Sequence, residues 1–243
     1  MPDLYELGRI SLADMTHVSA QLRRLGDGAR SMEEAGSRIV RFLFDSFGDA
    51  ASGEKSCVLA RMYKTHVLAQ LPAPLQDFAR DIAPQASPAT RCLALLSTAG
   101  LEAAWNSRHQ SSGHRAIPLT SVEAVARLPM VAQLIAQLGF DVARVVATDL
   151  ALIVDHDQTT FNVFHVPRAR GSPFIPAQEG FVIPYGVESV LGFGGALPGG
   201  EIFAVILFAR TPITRNTAEL FKPLALAAKL ALLPFARGPV FDA

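Results

Sequence analysis

The residues predict an α+β domain built on a central, mostly antiparallel sheet with helices packed on it. Three observations carry this: two helical stretches open the chain, short β-rich runs cluster late in it, and an apolar helix closes it. The late runs flank the stretch "LGFGGALPGGEIFAVILFAR" at 191–210, whose form separates a hairpin from a phosphate-binding loop. The 243 residues, 50% hydrophobic and 18% charged, suffice for one packed core without metal or disulfide staples. They read as a single domain: helices at 1–48, a sheet with inserted helices and loops at 49–213, and a C-terminal helix and tail at 214–243.

Leu12, Met15, Leu22 and Leu25 fall on one side of a first helix at three-to-four spacing, between a Ser11 cap and Gly26. Its stripe is narrow, nearer a helix-pair seam than a wide core face. "SMEE" at 31–34 reads as a capping box for a second helix, with Glu34 reaching back to Ser31. Met32, Ala35, Ile39, Phe42, Leu43 and Phe47 line that helix, and Gly48 stops it. Strands are expected at Cys57–Lys64 and Arg91–Thr98, with a short helix between them from Pro72 or Pro74. Thr120 and Glu123 suggest another capping box. Pro129 cannot sit mid-helix without a kink, so a new helix starts there. Its Val131, Leu134, Ile135 and Leu138 face inward, and Gly139 ends it. Strands are then expected at Ala151–Asp155, Thr160–Val166, Phe181–Ile183, Val187–Phe193 and Ile202–Ala209, the first two joined by the turn "DHDQ". The closing helix runs from about Thr214 to Leu233, bent or started by Pro223.

A dinucleotide fingerprint needs Gly-x-Gly-x-x-Gly at the start of a helix. Here the third glycine is missing after Gly192, Gly194 and Gly195, and the next run, "EIFAVILFA", is β-branched and aromatic. Pro198, Gly199 and Gly200 supply a hairpin loop instead. Gly192 and Gly194 then mark a bulge, or a place where a ligand or helix approaches the sheet.

Lysine plus arginine equals aspartate plus glutamate at 22 each. That balance lacks the basic footprint of a nucleic-acid binder and the polybasic patch of a membrane binder. No signal peptide opens the chain, and no apolar run reaches a membrane span, so a soluble, cytoplasmic protein is expected. Cys57 and Cys92 sit in apolar surroundings outside any Cys-x-x-Cys pair, which excludes a structural zinc site.

The residues "IPYGVESVLGFGG", "GGEIFAVILFARTPIT" and "AELFKPLALAAKLALLPF" resemble the C-terminal part of a GAF domain. The match covers about Phe181–Leu233, with looser agreement at Met32–Lys64, while 65–180 is long for such a core. The resemblance implies a GAF-like sensory module of the kind found ahead of kinases or cyclases in bacterial signalling proteins, two-component systems among them. It implies an unidentified small-molecule ligand, a kinase, cyclase or other output partner, and no fixed cofactor. The apolar stripes of the first and last helices suit a two-fold bundle, hence a homodimer.

For a ligand, "WNSRHQSSGHR" offers Trp105, Arg108, His109, His114 and Arg115, an aromatic face with cations and imidazoles suited to an anionic or aromatic molecule. His165 and the loop arginines Arg168 and Arg170 come next, with Glu179 and Tyr185 beside the expected rim strand. Each has a plainer reading: solvated loops for most of them, and a hydrogen-bonded core residue for His165. Asp155, His156, Asp157 and His165 lack recognised metal-ligand spacing. No catalytic signature is present. The enzymatic alternative is redox chemistry at Cys57 and Cys92, which requires an exposed, activated thiol. A ligand-free dimerisation module is the third reading.

Overall fold

The computed structural model describes residues 4–49, 52–147 and 161–242. Among the described residues six strands form one sheet in the order β3-β2-β1-β6-β5-β4, and every neighbouring pair is antiparallel. They are β1 (Cys57–Val67), β2 (Arg91–Gly100), β3 (Ala116–Leu119), β4 (Val163–Val166), β5 (Ser189–Ala196) and β6 (Ile202–Ala209). Among the described residues the helices are α1 (Leu12–Arg23), α2 (Met32–Ser46), α3 (Ala73–Ile82), α4 (Val122–Ala126), α5 (Pro129–Gln137), α6 (Val142–Val146), α7 (Arg215–Glu219) and α8 (Lys222–Leu232).

The rear layer is α1, α2 and α8. Met15 and Leu22 of α1, Ile39 and Leu43 of α2, and Leu224 of α8 join one apolar core with Met62, Phe193 and Phe203 of the sheet. The narrow stripe of α1 is thus a seam against α8 within one chain. Leu12, placed on that stripe by spacing, is 66% exposed. The front core sets Leu95, Phe164, Val190 and Ile206 against Leu134 and Ile135 of α5 and Val145 of α6. α3 packs Leu75 and Ala79 over Cys92, Ala94 and Ala116 at the β2–β3 edge.

Local chemistry sets the helix ends. Ser11 and Asp14 form a full capping box on α1. On α2 only half of the expected box forms. The Ser31 hydroxyl accepts from the Glu34 amide at 2.9 Å, but the Glu34 carboxylate accepts from the Arg30 amide and pairs with Arg30 and Arg38. These bonds hold its pKa down at about 2. α4 is capped by Ser121, which accepts from the Ala124 amide, and not by Thr120. Pro129 opens α5, and Gly139 follows it at φ +88.

The glycine stretch is a hairpin. β5 pairs with β6 in unbroken register from Ser189↔Ala209 to Ala196↔Ile202. Leu197 and Glu201 close the loop, the Leu197 amide donating to the Glu201 carbonyl at 2.7 Å, and Gly200 adopts φ +78. No bulge occurs at Gly192 or Gly194. A Cβ on Gly194 would lie 2.2 Å from the Phe203 carbonyl oxygen, so the close approach is that of β6 itself. The segment expected as a strand at Phe181–Ile183 is a π turn, Gln178–Val182. The closing helix is two helices, α7 capped by Thr214 and α8 opened by Pro223 in its first turn. The expected strand at Ala151–Asp155, the "DHDQ" turn and the start of Thr160–Val166 lie outside the described residues.

The tail folds back over the start of α2. The Met32 and Glu33 amides donate to the carbonyls of Pro239 and Val240. The Asp242 amide donates to the Glu33 carboxylate, and the Ser31 hydroxyl donates to Asp242. The Phe241 ring is thereby held against the His66 ring, with centroids 5.1 Å apart.

Candidate functional site

Alternation along β1 places Leu59, Arg61 and Tyr63 on the front face, where Leu59 and Tyr63 join the front core. Thr98 pairs directly across from Arg61, and Gly100 from Leu59. Gly100 leaves room that the Trp105 ring fills: a Cβ there would lie 2.9 Å from Trp105 Cε3. Trp105, on the 3-10 turn Ala103–Asn106, stacks against Tyr185 with centroids 4.7 Å apart and meets Phe181 edge-on at 5.5 Å.

Beside this aromatic group lies a polar one. Arg61 Nη1 donates to the Tyr63 hydroxyl at 3.2 Å, and Nη2 donates to the Ser111 hydroxyl at 3.1 Å. Arg61 Nε and Thr98 Oγ1 are buried without hydrogen-bond partners. His114, at φ +57, is exposed at the rim. Desolvation and the Arg61 charge both lower its pKa. Desolvation and the neighbouring Glu102 carboxylate raise that of Tyr185. The cluster offers hydrogen-bond donors and a guanidinium beside an aromatic wall, a combination that suits an anionic or aromatic small molecule.

The expected residues therefore separate. Trp105 and Tyr185 meet, and His114 stands beside Arg61. Arg108 is drawn away: it is 6% exposed, its Nε lies 2.5 Å from Glu33 Oε1, and it sits over the Phe241 ring at 5.1 Å. Arg115 lies over Phe78 at 5.6 Å. His109, Arg168, Arg170 and Glu179 are exposed. His165 lies on β4, where its Nε2 bonds to the Ile213 carbonyl at 2.9 Å, in keeping with its reading as a core residue. Arg61, Tyr63, Thr98 and Ser111 were not singled out from sequence. The signal was available for two of them: Arg61 and Tyr63 alternate with Ala60 and Met62 in "LARMY".

A cavity of about 10 Å³ lies between the sheet and α5–α6, lined by Leu93, Leu119, Leu134, Leu138, Val145 and Ile202 among others. It has room for about one water. A larger occupant requires α5 and α6 to move away from the sheet.

Both cysteines are free and fully buried. Burial pushes the Cys57 thiol up to about 12 and the Cys92 thiol up to about 11. Cys92 pairs across from His66, nine residues along β1 from Cys57, or roughly 30 Å. A disulfide between them would need Cα atoms within about 7 Å. The cysteine-based redox reading thus lacks its exposed thiolate. Among the described residues no group of three or more His, Cys, Asp or Glu side chains could hold a metal ion, and no helix is long and apolar enough to cross a membrane.

His66 and His165 are 6% and 7% exposed. Desolvation holds His66 well below its ordinary 6.5 and also lowers His165. Each therefore binds a proton less readily in the folded chain than in the unfolded chain, where a histidine is protonated below about 6.5. Stability is therefore full above that pH and falls as pH descends toward the folded pKa, with a limiting slope of about 1.4 kcal/mol per pH unit for His66 and a contribution of the same sign from His165. Urea titrations between about pH 7.5 and 5 should show this loss, reduced in His66→Gln. An unchanged slope in that variant would assign the effect elsewhere.

No protein-family model matches the chain, and no curated protein matches it. Solved structures do. A free methionine-R-sulfoxide reductase from Neisseria meningitidis, in complex with its substrate, is 11% identical, with a TM-score of 0.53 over 98% of each chain. The GAF domain of a phosphoenolpyruvate-protein phosphotransferase from Coxiella burnetii is 12% identical, with a TM-score of 0.44 over 94% of this chain and 97% of that one. A GAF domain of the same kind of enzyme from Acinetobacter is 11% identical, at 0.40 over 92% and 94%. At such identities a likeness speaks for fold alone. The described chain shares the fold of that reductase, a six-stranded antiparallel sheet with helices packed on it, in keeping with the α+β class the residues predict.

Proposed function

We propose that this protein is a small-ligand-binding sensory domain of a bacterial signalling system, acting by conformational change. The observation that carries this reading is the front-face cluster. Arg61 Nε and Thr98 Oγ1 are buried donors without partners, beside the Trp105–Tyr185 wall. Buried donors left unmade are costly, and a ligand that accepts from them recovers that cost. Tyr63, Trp105, Phe181 and Tyr185 pack on the same front core as Leu134 and Ile135 of α5 and Val145 of α6, so an occupant of the cluster would bias how those helices pack. Only a difference in affinity between two packings drives such a shift. The output partner in this reading is a kinase, cyclase or comparable signalling protein.

The test is mass spectrometry of small molecules that co-purify, with thermal-shift screening of anionic and aromatic metabolites. A binder should raise Tm, and Arg61→Met should weaken it by about 10- to 100-fold. No stabilisation across the screen and nothing co-purified would overturn the reading. Self-association belongs to the same proposal. Leu226 and Leu230, one turn apart on α8, are each 40% exposed. Leu22 and Leu224 are fully buried, so a charge there would unfold the domain and could not report on a dimer. A charge at Leu226 would.

A further inference from the structure

We propose that the domain holds a second site, in which the Arg91 guanidinium seats a small monocarboxylate. The proposal does not rest on the Arg61 cluster. Arg91 pairs across from Val67, six residues beyond Arg61 along β1, or roughly 20 Å.

Arg91 is 2% exposed at the start of β2. Its Nη1 reaches the Gly200 carbonyl at 3.4 Å, while Nε and Nη2 are buried without partners. Those two nitrogens form one edge of the planar guanidinium, a fork whose parallel N–H groups match the two oxygens of a carboxylate. Charge points the same way. Lys64 is 3% exposed, with its Nζ 3.4 Å from Glu201 Oε1. Glu201 is also the carboxylate that acts on Arg91. Two buried cations share one carboxylate, and a buried charge without its counter-ion is strongly disfavoured.

The surroundings select the ligand. Leu93, two residues along, and Leu119, directly across β3, flank Arg91 and also line the apolar cavity. The Thr65 hydroxyl in that lining already accepts from the Ile202 amide. An alkyl end meets apolar side chains there as α5 and α6 move off the sheet, whereas the further oxygens of a phosphate would meet leucines. At about 10 Å³ the cavity favours the shortest alkyl ends, since longer ones displace α5 and α6 further. Entry is by way of the β5–β6 hairpin, where Pro198 and Gly199 are exposed.

The test titrates acetate, propionate, butyrate and inorganic phosphate into the full chain, reading Tm and the side-chain Nε–H resonance of Arg91. A short carboxylate should shift that resonance and raise Tm by about 3–5 °C at ten times its Kd. Arg91→Lys keeps the charge without the fork and should bind at least about tenfold more weakly. Arg91→Met should melt no lower than the parent and lose the response. Arg61→Met, which disables the other site, should keep it. The proposal is overturned if the resonance does not move, if Arg91→Lys binds as the parent does, or if phosphate binds better than every carboxylate. Should both Arg91 variants fail to fold, the resonance in the parent chain decides.

Discussion

Arg108→Ala is expected to cost about 3–5 kcal/mol of folding stability, the penalty for removing one partner of a buried ion pair. The Arg108 and Glu33 side chains are 5% and 9% exposed, so the carboxylate left behind cannot recover full solvation. The same guanidinium lies over Phe241, and Glu33 holds the Asp242 amide. The tail should therefore loosen along with the pair. Urea denaturation reads the first effect, and faster hydrogen exchange at Asp242 reads the second. Arg108→Met combined with Glu33→Met should recover most of the loss, because no charge is then stranded. A single variant within about 1 kcal/mol of the parent would show that solvent reaches the pair.

Phe221→Ala should cost about 3–5 kcal/mol, as a large core aromatic does when truncated. Phe221 is fully buried between α7 and α8. Its ring lies 5.7 Å from that of Phe47 and 6.5 Å from that of Phe193. It thus ties the end of α2, the sheet and the closing helices together. For a chain of this size the loss lowers Tm by about 10 °C. Phe221→Leu should cost less than half as much. Equal losses for the two variants would show that ring shape matters and filled volume does not.

Much of the fold was legible because its strongest signals are local. β6 matches its expected span, and β1 and β2 start where "CVLARMY" and "RCLALLST" place them. Pro129 and Gly139 bracket α5 as their backbone constraints require. What escaped was short or decided by tertiary contact. β3 has four residues, including Pro118, which an edge strand tolerates. α6 has five residues, three of them valine, and rests on an Asp141 cap. "FVI" reads as a strand by composition, but its neighbours wind it into a π turn that delivers Phe181 to Trp105. The site was half visible for the same reason. Aromatic and cationic side chains can be seen in a loop, but their partners cannot. Trp105 meets Tyr185, and Arg108 leaves the group for Glu33, through chain reversals that no short window contains.

The sheet order sets β1 beside β6 at the centre, with Cys57 opposite Ala209 and Lys64 opposite Phe203. A nascent chain leaving the ribosome presents β1, β2 and β3 early, yet β1, an outer strand of that ribbon, keeps one bare edge until residue 209 has emerged. Such non-local closure slows folding and leaves that edge open to other chains meanwhile. Synthesis in the cell therefore has to shelter an incomplete three-stranded ribbon until β6 has been made.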